Sequence, residues 1–213
     1  MEEKMKVLIL SAHTDDAEVG CGGSIIKFLE DGWDLLWVAF SVAEDSLPKD
    51  MPKDTLRKEF LNVLKMLNLK EKNYIIHNFK VRHLQENRQD VLEELVRIRR
   101  DFSPDLVIGP SLHDYHQDHH VVANEAVRAF KTSASLIGYE LPWNHITFDT
   151  NLFVKLNEYH IRKKYELLQN YQSQFVQRRN YFSKEYIYGI AKVRGIQCNA
   201  DYAEAFEVIR WII

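Results

Sequence analysis

Two short apolar runs, each followed by a cluster of histidine and aspartate, constrain this chain more than any other feature of its sequence. Residues 7–10 lead into a first cluster at 13–18, and residues 106–109 lead into a second cluster at 116–120. Apolar runs of this length are typical of buried strands, and a parallel α/β sheet binds its ligands beyond the carboxyl ends of its strands. We therefore expect the two clusters to meet in one site.

Patterns typical of strands and helices alternate along the chain. Buried strands are predicted at 6–11, 35–41, 74–77, 106–109, 135–140 and 206–212. Helices are predicted at 22–30, 55–67, 87–102, 121–131 and 157–172. Because right-handed crossovers lay each helix back on the sheet, this order predicts a Rossmann-like α/β fold with a mostly parallel sheet and helices on both faces. Residues 1–213 are expected to form a single domain, since this length suits one hydrophobic core.

The composition argues against several classes of partner. The formal net charge is −3 and basic residues are dispersed among acidic ones, so no surface for nucleic acid or an anionic membrane is predicted. The two cysteines, Cys21 and Cys198, lack CxxC spacing, which is typical of a reducing compartment. The charged start leads into an apolar run too short for a secretory signal or a membrane span. We expect a cytoplasmic protein that acts on a small molecule, and assembly into a homo-oligomer is left open.

The clusters offer candidate ligands for a metal ion. His13 and Asp16 are three residues apart, so both can reach one cation, while Asp15 projects differently and remains free. His119 is the predicted third ligand. Two imidazoles and one carboxylate around Zn²⁺ leave a fourth position for water, as hydrolytic zinc requires. Bound zinc lowers the pKa of that water, and Asp15 is the predicted general base that takes its proton.

The second cluster also supplies candidates for the other steps of hydrolysis. His116 lies three residues before His119 and is predicted to donate to an oxyanion or to a leaving nitrogen. Asp118 is predicted to hold His116 in its charged, correctly oriented form. Together these roles favour hydrolysis of an amide carbonyl by metal-activated water.

Both clusters also carry a family resemblance. The first reads His-Thr-Asp-Asp-Ala-Glu followed by Gly-Cys-Gly-Gly, and the second reads His-Gln-Asp-His. They resemble the signatures of the PIG-L/LmbE family of zinc N-deacetylases, with Thr14 and Gln117 at positions where the family has proline. The resemblance continues through shorter segments at 57–59, 67–68, 171–175, 194–195 and 202–206. It therefore spans nearly the whole chain.

The resemblance implies a reaction and a set of residue roles. The family's functional residues fall on positions already singled out: metal ligands on His13, Asp16 and His119, general base on Asp15, and oxyanion-side histidine on His116 with Asp118 as its partner. One position is new, because the family's substrate-contacting arginine falls on Arg57. The implied reaction removes the acetyl group from an N-acetylglucosamine-containing small molecule, with Zn²⁺ as cofactor and Fe²⁺ left open as the ion in the cell.

Two alternatives stay open at this point. One is a zinc amidohydrolase acting on another N-acyl amino sugar in glycan or antibiotic synthesis. The other is a catalytically idle metal- or sugar-binding module, because Thr14 and Gln117 replace two prolines that would stiffen the ligand loops. The basic pairs at 163–164 and 178–179 are interpreted as solvated charge, and the aromatic residues between 181 and 188 are given no role.

Overall fold

The computed structural model describes residues 4–213. Its strands and helices follow one another in the order β1 Lys6–His13, α1 Asp16–Glu30, β2 Asp34–Ser41, α2 Thr55–Met66, β3 Tyr74–Ile76, α3 Arg88–Phe102, β4 Leu106–Pro110, α4 Gln117–Phe130, β5 Ser135–Tyr139, β6 Leu152–Leu156, α5 Glu158–Leu168, α6 Gln172–Val176, α7 Lys184–Gln197 and β7 Tyr202–Arg210. Among the helices of these residues, none is both long and apolar enough to cross a bilayer.

The strands of residues 4–213 form one seven-stranded sheet in the order β3-β2-β1-β4-β5-β7-β6. Strands β1 to β5 run parallel to their neighbours, with Leu8 opposite Leu36 on β2 and Val107 on β4. β7 is antiparallel to both β5 and β6. The strand order reverses between β1 and β4, so a crevice opens beyond the carboxyl ends of these two strands, where α/β proteins bind ligands.

Side chains of β1 alternate between two cores on opposite faces of the sheet. Val7 and Ile9 pack with apolar residues of α1, α2, α5 and α7, whereas Leu8 and Leu10 pack with those of α3 and α4. Burial on both faces explains why β1 is a continuous apolar run rather than an alternating one. This arrangement confirms the predicted α/β fold with a mostly parallel sheet and helices on both faces.

Two helices begin earlier than the sequence pattern predicted. α1 begins at Asp16 rather than at residue 22, and α4 begins at Gln117 rather than at residue 121. Both His/Asp clusters therefore overlap the first turn of a helix, where free backbone N–H groups and the helix dipole favour carboxylates. The polar character of these first turns hides them from a search for apolar periodicity.

The last third of the chain departs most from the prediction. The helix predicted at 157–172 ends at Leu168, and α6 is a separate short helix. β6 and α7 were not predicted, and β7 occupies Tyr202–Arg210 rather than 206–212. β6 lies at the sheet edge with partly exposed side chains, and α7 buries only a narrow stripe, so neither carries a strong apolar pattern.

Helix α1 is interrupted at Cys21, whose φ of −145° and ψ of 25° are not helical. Glu204 on β7 accepts hydrogen bonds from the N–H groups of Gly23 at 2.9 Å and Ser24 at 2.7 Å, and from the Ser24 hydroxyl at 2.6 Å. It thereby caps the second half of the helix, as an N-cap side chain does. Lys164 binds Glu204 at 2.7 Å and is buried, which corrects its interpretation as solvated charge.

Glycines allow the interrupted helix to approach its neighbours closely. A Cβ atom at Gly20 would lie 2.5 Å from Cδ2 of Tyr139, and one at Gly23 would lie 2.6 Å from Cδ1 of Leu156. Both distances are far below van der Waals contact, so a side chain at Gly20 would clash with the buried Tyr139 ring of β5, and one at Gly23 would force the Leu156 side chain of β6 to move. The glycine-rich segment therefore fixes the position of the helix whose first turn carries Asp16.

Candidate active site

The crevice beyond β1 and β4 contains both His/Asp clusters. His13 is the last residue of β1 and Asp16 is the first of α1, while His116 and His119 begin α4. These side chains and Asp15 line one cavity of about 220 Å³. The structure thus brings the two clusters together, because the carboxyl ends of neighbouring parallel strands meet at one edge of the sheet.

Three side-chain atoms of the predicted ligands form a compact triangle. Nδ1 of His13 lies 3.3 Å from Oδ2 of Asp16, and Nε2 of His119 lies 3.2 Å from both atoms. Ligand atoms bound tetrahedrally to Zn²⁺ at 2.0–2.2 Å lie roughly 3.4 Å apart, so this triangle fits such an ion. One ring nitrogen of His116 joins those of the other two histidines within 4.8 Å, which is a looser set.

Buried carboxylates orient both imidazoles toward the triangle. Nε2 of His13 lies 2.9 Å from Asp118, and Nδ1 of His119 lies 2.7 Å from Asp114. In the neutral form of each ring, the nitrogen that faces a carboxylate carries the proton, so the other nitrogen presents its lone pair to the triangle. Metal-binding histidines characteristically have such a partner, because it fixes the tautomer and raises the basicity of the ligand nitrogen.

The electrostatic environment at the triangle favours positive charge. Burial lowers the pKa of His13, but Asp16 and Asp118 outweigh burial and raise it to about 9. Burial likewise opposes charge on His119, yet Asp16 and Asp114 raise its pKa to about 10. The negative potential that draws a proton to these imidazoles also favours a divalent cation at the same place.

Asp15 stands apart from the triangle while lining the same cavity. Burial and the neighbouring charge of Asp16 raise its pKa to about 6, and the charges of His13 and Arg179 oppose this rise. A carboxylate with a pKa near neutrality can accept a proton and release it again at physiological pH, as a general base must. The structure therefore leaves Asp15 free for the role predicted from the sequence.

The predicted partnership between His116 and Asp118 is corrected by the structure. Asp118 accepts hydrogen bonds from the backbone N–H groups of Arg82 and Leu84 in addition to His13, so both of its carboxylate oxygens are bound to groups other than the His116 ring. The His116 ring instead caps α4, because its Nδ1 accepts from the backbone N–H of Asp118 at 3.2 Å. Burial and the two other histidines lower the pKa of His116 to about 4, so the ring is neutral with its proton on Nε2.

Arg57 does not reach the cavity. It is exposed on α2, whereas the preceding residue, Leu56, is buried and lines the cavity wall. Adjacent residues of a helix point about 100° apart, so one of them faces the site and the other faces solvent. The arginine that lines the cavity is Arg179, which corrects its interpretation as solvated charge.

Sequence reasoning also missed a supporting aspartate and most of the cavity wall. Asp114 precedes His119 by five residues, and its position in an acidic, histidine-rich loop was the available signal. Apart from the candidate metal ligands, the cavity lining includes Val81, Trp143, Asn144, Gln174, Arg179 and Tyr181. These residues come from separate loops and a short helix, where no repeating pattern marks their orientation.

Two of the segments that resemble the family, at 57–59 and 171–175, form buried hydrogen bonds next to the site. Ser173 binds Glu59 through its N–H at 2.9 Å and its hydroxyl at 2.7 Å, which ties α6 to α2. The Tyr171 hydroxyl contacts both the carbonyl of Thr14 and the carboxyl group of Glu18. Burial raises the pKa of Glu18 well above its usual range, so the neutral acid can donate to Tyr171 while Tyr171 donates to Thr14.

Comparison with known proteins finds relatives by sequence and solved structures that share the fold. YaiS of Escherichia coli K12, described as an uncharacterized deacetylase, is 25% identical over 170 residues, which cover 78% of this chain and 90% of that protein. The N,N'-diacetylchitobiose deacetylase of Pyrococcus horikoshii shares the fold, with a TM-score of 0.81 at 19% identity, over 98% of this chain and 85% of that one. The 4-carboxy-2-hydroxymuconate hydratase GalB of Pseudomonas putida KT2440 also shares it, with a TM-score of 0.78 at 21% identity, over 98% of each chain.

The family comparison covers the part of the chain that carries both clusters. The model of the PIG-L family, described as GlcNAc-PI de-N-acetylase, matches residues 8–130. This match includes more than half of the chain and every residue of the triangle. The resemblance seen in the sequence is thereby confirmed, and the chain belongs to the PIG-L family of de-N-acetylases.

Proposed function

We propose that this protein is a metal-dependent N-deacetylase that removes the acetyl group from an N-acetylglucosamine-containing small molecule. The observation that carries the proposal is a free carboxylate, Asp15, beside a compact triangle of ligand atoms in one cavity. Membership of the PIG-L family supports the reaction type, and the names of YaiS and the chitobiose enzyme point the same way.

In this proposal His13, Asp16 and His119 hold a divalent ion, and their mixed imidazole and carboxylate set suits either Zn²⁺ or Fe²⁺. When bound, the ion supplies Lewis-acid polarisation of the amide carbonyl and lowers the pKa of water. Asp114 and Asp118 keep the two imidazoles oriented, so the site does not have to reorganise when the ion binds.

The chain's own residues carry the proton transfers. Asp15 takes a proton from the water that attacks the acetamide carbonyl, and it delivers that proton to the nitrogen as the C–N bond breaks. His116 donates a hydrogen bond from Nε2–H to the carbonyl oxygen, where negative charge develops. The products are acetate and the free amino sugar, so one water molecule is consumed in each turnover.

Three other functions would give different results in the experiments described below. GalB shares the fold but is named for a hydratase activity, so fold alone does not decide which reaction with water occurs. A different N-acyl group on an amino sugar would use the same residues. A binding module without catalysis would hold the ion and the sugar yet release no acetate.

The first experiment measures metal content by elemental analysis of untagged protein supplied with Zn²⁺ or Fe²⁺. We expect about one equivalent in the wild type, its loss in His119→Ala, and its retention in His120→Ala, an exposed neighbour on the same helix. A wild type that binds no metal, or a His119→Ala variant that retains it, would overturn the ligand assignment.

The second experiment measures acetate and free amine released from a panel of N-acetylglucosaminides by the metal-loaded protein. We expect the two products in equal amounts, and no release by His119→Ala. If the protein holds its metal but releases no acetate from any member of the panel, the proposed substrate class is wrong. Longer N-acyl analogues in the same panel then test the alternative amidohydrolase.

A further inference from the structure

The carboxyl group of Asp114 is buried and is bound from two directions by residues at the start of α4. Its Oδ2 atom lies 2.7 Å from Nδ1 of His119, and its Oδ1 atom accepts the backbone N–H of His116 at 2.8 Å. A carboxylate orients an imidazole only as well as it is itself held in place, because its own rotation moves the acceptor. The remaining contacts of Asp114 therefore bear on the direction of the His119 ring.

Asn144 supplies a further contact, from a turn at 142–145 that follows β5. Its Nδ2 atom donates to Oδ2 of Asp114 at 3.3 Å, the same oxygen that faces His119. Its carbonyl oxygen accepts the backbone N–H of Tyr115 at 3.0 Å. The turn and the loop before α4 are thus joined through both a side chain and the backbone.

His145 does not provide this contact, although it belongs to the same turn. It pairs with Asp114 in an isolated antiparallel bridge, but its Nε2 atom lies 3.8 Å from Oδ2 of Asp114, beyond hydrogen-bond distance. Both ring nitrogens are buried without a hydrogen-bond partner, and the ring stacks on Phe148 with centroids 5.0 Å apart. Across residues 4–213, Asn144 is the one side chain besides His119 that donates to this carboxylate.

The turn that carries Asn144 is itself firmly held. Pro142 begins it with a fixed φ, and the N–H of Asn144 donates to the carbonyl of Leu141 at 2.9 Å. Trp143 stacks on Tyr181 with ring centroids 3.9 Å apart and an interplanar angle of 13°. Both Trp143 and Asn144 line the cavity. The amide donor therefore has a fixed position, as a group that orients another group requires.

We propose that Asn144 is a positioning residue for the metal site, because it holds Asp114, which in turn directs Nε2 of His119 toward the triangle. Asn144 also joins the turn that carries Trp143, in the cavity wall, to the metal-ligand candidates. This proposal rests on the proposed function in one respect, the assignment of His119 as a metal ligand, and it does not depend on the identity of the sugar.

The first test measures the Kd of Zn²⁺ by competition with a chelator. Asn144→Leu keeps the size of the side chain but removes the donor, so the Kd should rise by about 3- to 10-fold, as expected for the loss of one hydrogen bond. Asn144→Ala should give a similar rise. Thr147→Ala, an exposed change in the same loop, should retain the wild-type Kd. An unchanged Kd in Asn144→Leu would overturn the proposal.

A double-mutant cycle shows whether Asn144 acts through Asp114. In the Asp114→Ala background, Asn144→Leu should have no further effect on the Kd, because the acceptor is already absent. A rise of the same size in both backgrounds would overturn the proposal, since a general loosening of the turn gives that result.

A spectroscopic measurement replaces the cycle where Asp114→Ala does not fold. The Nδ1–H proton of His119 gives an NMR resonance in the zinc-loaded protein that reports its hydrogen bond to Asp114, and its absence from His119→Ala assigns it. Asn144→Leu should shift this resonance, whereas Thr147→Ala should not. A resonance that stays in place in Asn144→Leu would overturn the proposal.

Failure of this proposal is distinguishable from failure of the proposed function. If His119→Ala loses its metal and the wild type releases acetate, but Asn144→Leu keeps the wild-type Kd, then only the role of Asn144 is wrong. If His119→Ala retains its metal, the ligand assignment is wrong and the role of Asn144 falls with it.

Discussion

Residues 4–130, the N-terminal region, and residues 131–213, the C-terminal region, contribute to the cavity in different ways. The N-terminal region supplies the triangle of ligand atoms and both carboxylates behind it. The C-terminal region supplies Trp143, Arg179 and Tyr181 to the cavity wall. Its Ser173 and Glu204 also make buried contacts with the N-terminal region. The candidate metal ligands thus come from the first part of the chain, whereas the aromatic and arginine side chains of the cavity wall come from the second.

The largest effect is expected from Asp15→Asn, which tests whether chemistry is confined to the N-terminal region. The amide keeps the size of the side chain but cannot accept the proton, so kcat should fall by about 10²- to 10⁴-fold. Metal content should stay unchanged, because Asp15 stands outside the triangle. Acetate release and elemental analysis on the same preparation check both points, and loss of the metal would make Asp15 a ligand.

The next effect tests whether the C-terminal region supports the site through Glu204. Glu204→Gln leaves the charge of Lys164 buried without a counter-ion, which should lower the free energy of unfolding by about 3–5 kcal/mol. Denaturant unfolding measures this change. The double variant Glu204→Gln/Lys164→Met should recover part of the loss, since the uncompensated charge is gone. Strictly additive losses would mean that the two side chains do not interact.

A smaller effect, on metal affinity, is expected from Asp114→Asn. This substitution tests whether the carboxylates bound to the imidazoles orient them for the metal. Asp114 accepts from His119 Nδ1 and from the backbone N–H of His116, and the single oxygen of asparagine can serve only one of these donors. Metal affinity should fall by about 10- to 100-fold in a chelator competition titration. Asp101→Asn, an exposed change on α3, should leave affinity unaltered. Equal affinities in the two variants would contradict this role.

Much of the fold of the N-terminal region could be predicted because three of its strands, β1, β2 and β4, are buried on both faces. Residues 7–10 and 106–109 are continuous apolar runs, and helices α2 and α3 each bury one apolar stripe. In the C-terminal region β6 lies at the sheet edge and α7 buries little, so the same criteria found neither. Periodicity reports how much surface an element buries, and it fails where burial is slight.

The same limit applies to the site. The triangle follows from sequence spacing because each ligand stands at the end of a strand or in the first turn of a helix. Sequence spacing does not show whether Arg57 or Arg179 lines the cavity. That depends on which face of α2 is turned toward the cavity and on the path of the loop after α6. Asp118 was placed beside the wrong histidine for a similar reason, because its partners Arg82 and Leu84 belong to a loop distant in sequence.

Several motif segments without catalytic side chains now have a physical explanation. Glu59 and Ser173 belong to separate segments of the resemblance and bind each other, and Glu204 caps the interrupted helix α1. Gly195 makes a similar contribution, because a Cβ there would lie 2.8 Å from the carbonyl oxygen of Ala200. The contacts of Ser173 and Glu204 join the C-terminal region to the N-terminal region, and Gly195 lets α7 approach the residues just before β7 within the C-terminal region.

The cap on α1 also bears on how the protein matures. Glu204 belongs to β7, which follows every other described strand and helix along the chain. During translation both His/Asp clusters leave the ribosome well before this carboxylate is made, and until then the N–H groups of Gly23 and Ser24 lack their acceptor. The helix that carries Asp16 is completed only when synthesis reaches β7. The part of α1 that follows Cys21 therefore gains this stabilising contact only after β7 has been made.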